Sequence, residues 1–132
     1  MRLLLWLWLL VALPLHATNQ PLRVFACEPE WAALVSELGG KYVNVFSATT
    51  AKQDPHHIEA RPSLIARARQ ADLLVCTGAD LEIGWLPLLL RQAANPAILA
   101  GQKAHFLAAD YVLLKETAST MDRSQGDIHP EG

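Results

Sequence analysis

Short apolar runs alternate with proline-led helical patterns along most of this chain, and that alternation restricts the fold more than any other feature. Leu22-Arg23-Val24-Phe25-Ala26-Cys27 reads as a strand. Pro29 then suits the first turn of a helix, where its missing N–H has no intrahelical partner to lose. Trp31, Leu34, Val35 and Leu38 fall at i, i+3, i+4 and i+7, which makes a helical stripe. Gly39-Gly40 supplies the left-handed stop. Tyr42-Val43-Asn44-Val45-Phe46 is a second strand, and a polar loop runs from Ser47 to Glu59. Pro62 opens a second helix, through Leu64, Ile65 and Ala68 to about Ala71, whose Arg61, Arg67 and Arg69 form a solvated face. Leu73-Leu74-Val75-Cys76 is a buried strand, and Leu81 to Ala94 is helical, with Pro87 tolerable only near the first turn. Residues 98–110 look irregular, and Tyr111-Val112-Leu113-Leu114 is the expected fourth strand. Lys115 to Gly132 is polar without a core pattern. Strand and helix in alternation predict an α/β fold, a Rossmann-like lobe with about four parallel strands flanked by helices.

The start of the chain has a different character. Met1-Arg2 carries one positive charge, and Leu3 to Leu13 is an almost unbroken apolar run closed by Pro14. That run is too short for a membrane span, which needs roughly 20 residues. It has the form of an export signal, with the cut placed after Ala17, so residues 1–17 are read as a signal peptide and 18–132 as one domain. Cys27 is too far from the apolar run to be a lipid-anchor cysteine. Loss of Arg2 takes Lys+Arg from 11 to 10 against 13 acidic residues, a formal charge near −3. No basic patch appears, so nucleic acid is not an expected partner. Two cysteines in an exported chain permit one disulfide. Cys27 and Cys76 both end strand patterns and can share one edge of the sheet. A bridge between adjacent parallel strands is geometrically awkward, so two buried thiols are the preferred reading, with a disulfide or a two-cysteine metal site as alternatives.

The chemistry concentrates in Asp54-Pro55-His56-His57-Ile58-Glu59. Neutral imidazole is a common ligand for zinc and similar ions. Pro55 fixes its own φ and pushes Asp54 toward an extended conformation, which stiffens the loop. Ligands of parallel α/β sheets bind beyond the carboxyl ends of the strands, and His56 lies just past the second strand. Neighbouring side chains of an extended segment face opposite ways, so one histidine converges on the site while the other meets solvent.

Asp54-Pro55-His56 with Glu59, after a strand and before a proline-led helix, resembles the first metal-binding segment of zinc/manganese ABC transporter periplasmic substrate-binding proteins. Gly39-Gly40 before a valine-rich strand agrees with this. So do Ala71-Asp72-Leu73-Leu74-Val75 leading to Gly78, Leu81-Glu82 and Trp85, and Asp122-Arg123-Ser124 leading to Gly126-Asp127-Ile128-His129-Pro130-Glu131-Gly132. The resemblance implies half of a two-lobed receptor that captures a free zinc or manganese ion between its lobes and hands it to an ABC permease in the inner membrane. It implies His56 as the first metal ligand and His57 at a variable position beside it. Asp54 and Pro55 then shape the loop, Glu59 supports the ligand from behind, Trp85 packs, and His129 is a loop residue near the site. His105 is read as surface. The family's second ligand, in an Asn-Pro-His, is expected one step past Gly132. Residues 18–132 therefore correspond to a truncated N-terminal lobe without its C-terminal lobe, with weak metal binding of its own. A receptor for a metal chelate, or an adhesin of the same fold, is the alternative. A metal-dependent hydrolase is a lesser one, because the chain has neither the helical two-histidine metalloprotease spacing nor a glycine-rich phosphate loop. No enzymatic activity is expected.

Overall fold

A computed structural model describes residues 20–114. The signal-like run and His129 lie outside the described residues. Four parallel strands make one sheet in the order β2-β1-β3-β4, formed by β1 (Leu22–Ala26), β2 (Val43–Ser47), β3 (Leu73–Cys76) and β4 (His105–Leu107). The helices are α1 (Pro29–Gly39), α2 (Pro62–Gln70) and α3 (Leu86–Ala93).

The chain steps from β1 outward to β2, then crosses back over β1 to β3. Parallel crossovers are almost always right-handed. A reversal of direction therefore sends α1 to one face and α2 to the other. Alternation along the strands follows suit. Phe25, Cys27, Leu74 and Cys76 join the core with Leu64 and Ala68 of α2 and Leu86, Leu89, Leu90 and Ala93 of α3. Burial of Phe25, Leu64, Leu74 and Leu89, all at most 1% exposed, contributes about 1.5–3 kcal/mol each. The α1 face is thinner. Trp31 and Val35 of its stripe are half-buried, but Leu34 and Leu38 are exposed. Arg23 and Asp72 tie the start of β3 to β1 through a two-pronged contact at 2.7 and 2.9 Å. The Arg23 guanidinium pulls the Asp72 carboxyl down to about 2. The pair is solvent-exposed, so water screens it and its contribution to stability is small.

Several sequence expectations change. The fourth strand is not Tyr111–Leu114 but His105–Leu107, with Leu74 opposite His105 and Cys76 opposite Leu107. A three-residue edge strand needs little apolar signal because only one side pairs. The apolar run after it gives a short 3-10 turn and then leaves Leu113 98% exposed. The third helix begins at Leu86 rather than Leu81, which puts Pro87 in the first turn, where it breaks no hydrogen bond. His105 is half-buried, and its Nδ1 donates to the Ile98 carbonyl at 2.8 Å. Of the three arginines, Arg69 is not simply solvated: it caps the end of α3 through the carbonyls of Gln92 and Ala93. The preferred reading of two thiols also fails. Cys27 and Cys76 form a disulfide with Cα atoms 4.8 Å apart. Because β1 and β3 are immediate neighbours, the cysteines at their carboxyl ends stand side by side on the same face of the sheet.

Candidate metal site at the carboxyl edge of the sheet

In this strand order the direction reversal falls between β1 and β3. Loops leaving those two strands part in opposite directions and open a crevice at the carboxyl ends. The ladder between β1 and β2 extends past the strands into the crevice wall. Ala48 N donates to Ala26 O, and Thr49 donates to Cys27 O through both its N–H and its hydroxyl, at 2.8–3.1 Å. The polar loop therefore starts from a fixed base.

Asp54 organises the loop. Its Oδ1 accepts the backbone N–H of His56 at 2.9 Å, an Asx turn, and meets the His56 ring Nδ1 at 2.8 Å. Its Oδ2 meets His57 Nδ1 at 3.0 Å. The His57 ring first, then the backbone and ring of His56, hold the Asp54 carboxyl well below the usual carboxylate range. An ionised carboxylate only accepts, so both Nδ1 atoms carry the proton. In a neutral ring that leaves the lone pair on Nε2, the nitrogen a metal takes. The carboxylate that orients the imidazoles is thus Asp54, while Glu59 is exposed. The His56 side chain is 19% exposed and His57 69%, so the two diverge between crevice and solvent.

The segment after β3 holds this loop from the other side. Trp85 is buried, and its Nε1 donates to the Pro55 carbonyl at 2.8 Å. Gly84 lies against the next peptide, where a Cβ would stand 2.8 Å from the His56 carbonyl oxygen. Trp85 therefore does more than pack.

His56 lines a cavity of about 360 Å³ with Trp31, Thr77, Gly78, Leu81 and Ala109 among its other walls. Behind Thr77 and Gly78 lies a group that sequence reasoning did not single out. Glu82 is 2% exposed, and its two oxygens accept Thr77 N at 2.8 Å and Gly78 N at 3.0 Å. Gly78, Ala79 and Asp80 all have positive φ, a costly run for two non-glycine residues. The Glu82 carboxylate clasps the start of that run. Glu28 is 3% exposed, and the Thr77 hydroxyl donates to its Oε2 at 3.2 Å while accepting from Trp31 Nε1 at 2.7 Å. Burial, then the charge of Glu82, pushes the Glu28 carboxyl up to about 8; burial also raises Glu82. The shared proton belongs on Glu28, since Glu82 has two backbone N–H donors to stabilise its charge. The available signal was the placement of Glu28 directly after a strand's carboxyl end.

The fold and the site together make a parallel α/β lobe with an imidazole–carboxylate pair at its switch-point crevice, the edge where such sheets bind ligands. A model of the family described as zinc-uptake complex component A, periplasmic, matches residues 24–129, and the chain belongs to that family. The chain is similar to the manganese ABC transporter substrate-binding lipoprotein PsaA of Streptococcus pneumoniae, with 25% identity over 85% of this chain and 36% of PsaA. It is also similar to the metal ABC transporter substrate-binding lipoprotein ScbA of Streptococcus cristatus, 32% identical over 57% of this chain and 25% of that protein. Among solved structures, ZnuA superposes with a TM-score of 0.53 at 26% identity, over 58% of this chain and 30% of ZnuA. The Zn(II)-bound ZnuA-like domain of AdcA from Streptococcus pneumoniae shares the fold, with a TM-score of 0.56 at 22% identity over 73% of this chain and 34% of that one. The chain spans between a quarter and two fifths of the length of these relatives.

Proposed function

We propose that this chain is the N-terminal, metal-capturing lobe of an exported substrate-binding protein that serves a zinc or manganese ABC importer. His56 Nε2 is its ligand to the free divalent ion. The carrying observation is the contact of His56 Nδ1 with Asp54 Oδ1 at 2.8 Å, beside the crevice. Metal-binding histidines commonly donate their second nitrogen to a carboxylate, which fixes tautomer and orientation. Pro55, Trp85 and Gly84 hold the pair in place before the ion arrives. His57 is exposed and shares Asp54, so it assists entry rather than capture. One imidazole is too few for a tight site, since zinc centres use at least three protein ligands. The remaining ligands, and delivery to a permease, belong to the rest of the receptor. Zinc favours nitrogen donors and manganese oxygen donors, so those other ligands decide the ion.

The test is isothermal titration of the oxidised protein with zinc and with manganese, alongside His56→Ala. Weak binding that disappears in His56→Ala supports the reading. Binding of equal strength in His56→Ala overturns it. A second reading, a receptor for a metal chelate, is favoured by the cavity itself, since about 360 Å³ lies in the small-molecule range. Binding of a zinc–amino-acid chelate in preference to free zinc distinguishes it.

A further inference from the structure

The Cys27–Cys76 disulfide and the buried carboxyl pair sit together at the sheet's switch point, apart from the His56 loop. The two sulfurs and a Glu82 carboxylate oxygen all lie within 4.8 Å of one another. Both cysteines are fully buried, Glu82 is 2% exposed and Glu28 3%. Glu28 directly follows Cys27, and its buried carboxyl shares a proton with that of Glu82. Two carboxyl groups buried together are costly unless something positive or a proton lies between them. The group is not sealed in bulk core. Thr77 and Gly78, which bond to the two carboxylates, line the crevice cavity.

We propose that Cys27, Cys76 and Glu82, with Glu28 as the fourth donor, form a second metal site that opens when the disulfide is reduced and takes a thiophilic divalent cation such as zinc or cadmium. A dithiol supplies the two electrons and two protons. The Cys27–Cys76 bond breaks, two thiols form, and the dithiol leaves as its own disulfide. The cation then displaces both thiol protons to solvent and bonds the two thiolates and a Glu82 oxygen. A dication against two thiolates and one carboxylate leaves a single net negative charge, so Glu28 can bind as the neutral acid. Two sulfurs and two oxygens in a tetrahedral arrangement suit zinc and its soft analogue, and disfavour manganese. In the oxidised protein the sulfurs are engaged with each other and the site is closed. Redox state thus decides whether the lobe holds an ion at the sheet's edge in addition to the one at His56.

The test is cadmium titration of the His56→Ala protein, oxidised and then reduced, followed by thiolate-to-cadmium charge-transfer absorption in the ultraviolet. The His56→Ala background separates this site from the capture site, so either can fail alone. One equivalent bound with that absorption after reduction, and none before, is the expected result. Glu82→Gln in the reduced protein should then weaken cadmium by no less than the roughly 10–100-fold that outer-shell partners cost. If Glu82→Gln does not fold by circular dichroism, Glu28→Ala, which removes the fourth donor altogether, replaces it, with an expected loss of at least about tenfold. Absence of the absorption in reduced, folded His56→Ala protein overturns the proposal. So does cadmium affinity unchanged by the carboxylate substitution, because two thiolates alone would then account for binding.

Discussion

Trp85 Nε1 donates to the carbonyl of Pro55 at 2.8 Å, across 30 residues of sequence. That bond joins the turn after β3 to the loop after β2, and it sets the height of His56 above the sheet. The loop's geometry is therefore decided partly by a residue that contributes no ligand. Trp85→Phe should keep the ring packing but leave the Pro55 carbonyl without its donor. Stability should fall by roughly 1–3 kcal/mol, read as a lower urea midpoint, and zinc binding should weaken several-fold with it. Unchanged zinc affinity in a destabilised variant would mean that the bond serves folding only.

Gly84 makes the same approach possible from the adjacent peptide. A Cβ there would stand 2.8 Å from the His56 carbonyl oxygen, which is backbone and cannot swing aside. Gly84→Ala should cost about 1–3 kcal/mol, the usual range for overpacking. The displacement falls on His56 itself, so the amide resonances of residues 54–58 should move in a heteronuclear spectrum while those of α1 stay in place.

Asp54 accepts from both imidazoles and from the His56 backbone. Asp54→Asn keeps the size but removes the charge, and its amide can donate where the carboxylate only accepted. Either Nδ1–H contact is then weakened and the tautomer is no longer fixed. Zinc affinity should fall roughly 10–100-fold, with little effect on the unfolding midpoint because Asp54 is exposed. Calorimetric titration beside a thermal melt separates the two effects.

Glu28 gives the protein a pH dependence of defined sign. Its carboxyl is raised from 4.5 to about 8 in the folded chain, by burial first and by Glu82 second. Between those values the unfolded chain has lost the proton that the folded chain still holds. Stability should therefore be highest in mild acid and fall as pH rises through this window, levelling off above about 8. Urea midpoints measured across the window should decline in the native protein. They should flatten in Glu28→Gln, which cannot ionise.

Much of this was legible in the residues because it depends on local chemistry. Proline at the start of helices, glycine at the end of the first, and apolar strand runs define three strands and the α/β class. Asp54-Pro55-His56 marks its own loop, since an Asx turn and a fixed proline φ act within three residues. Tyr111–Leu114 misled for the opposite reason: apolar character says that a segment prefers burial, not which strand edge is free to pair with it. His105–Leu107 pairs because Leu74–Cys76 offers that edge.

The sequence by itself determined the class of fold and the histidine loop, through periodicity and backbone restriction that need no distant partner. Tertiary structure alone decided what meets at the carboxyl edge. The β2-β1-β3-β4 order brings Cys27 to Cys76 and Glu28 to Glu82, pairs 49 and 54 residues apart, and sets Trp85 on Pro55. Such meetings follow from which strands are neighbours and from the handedness of the crossovers between them, properties that no single segment carries.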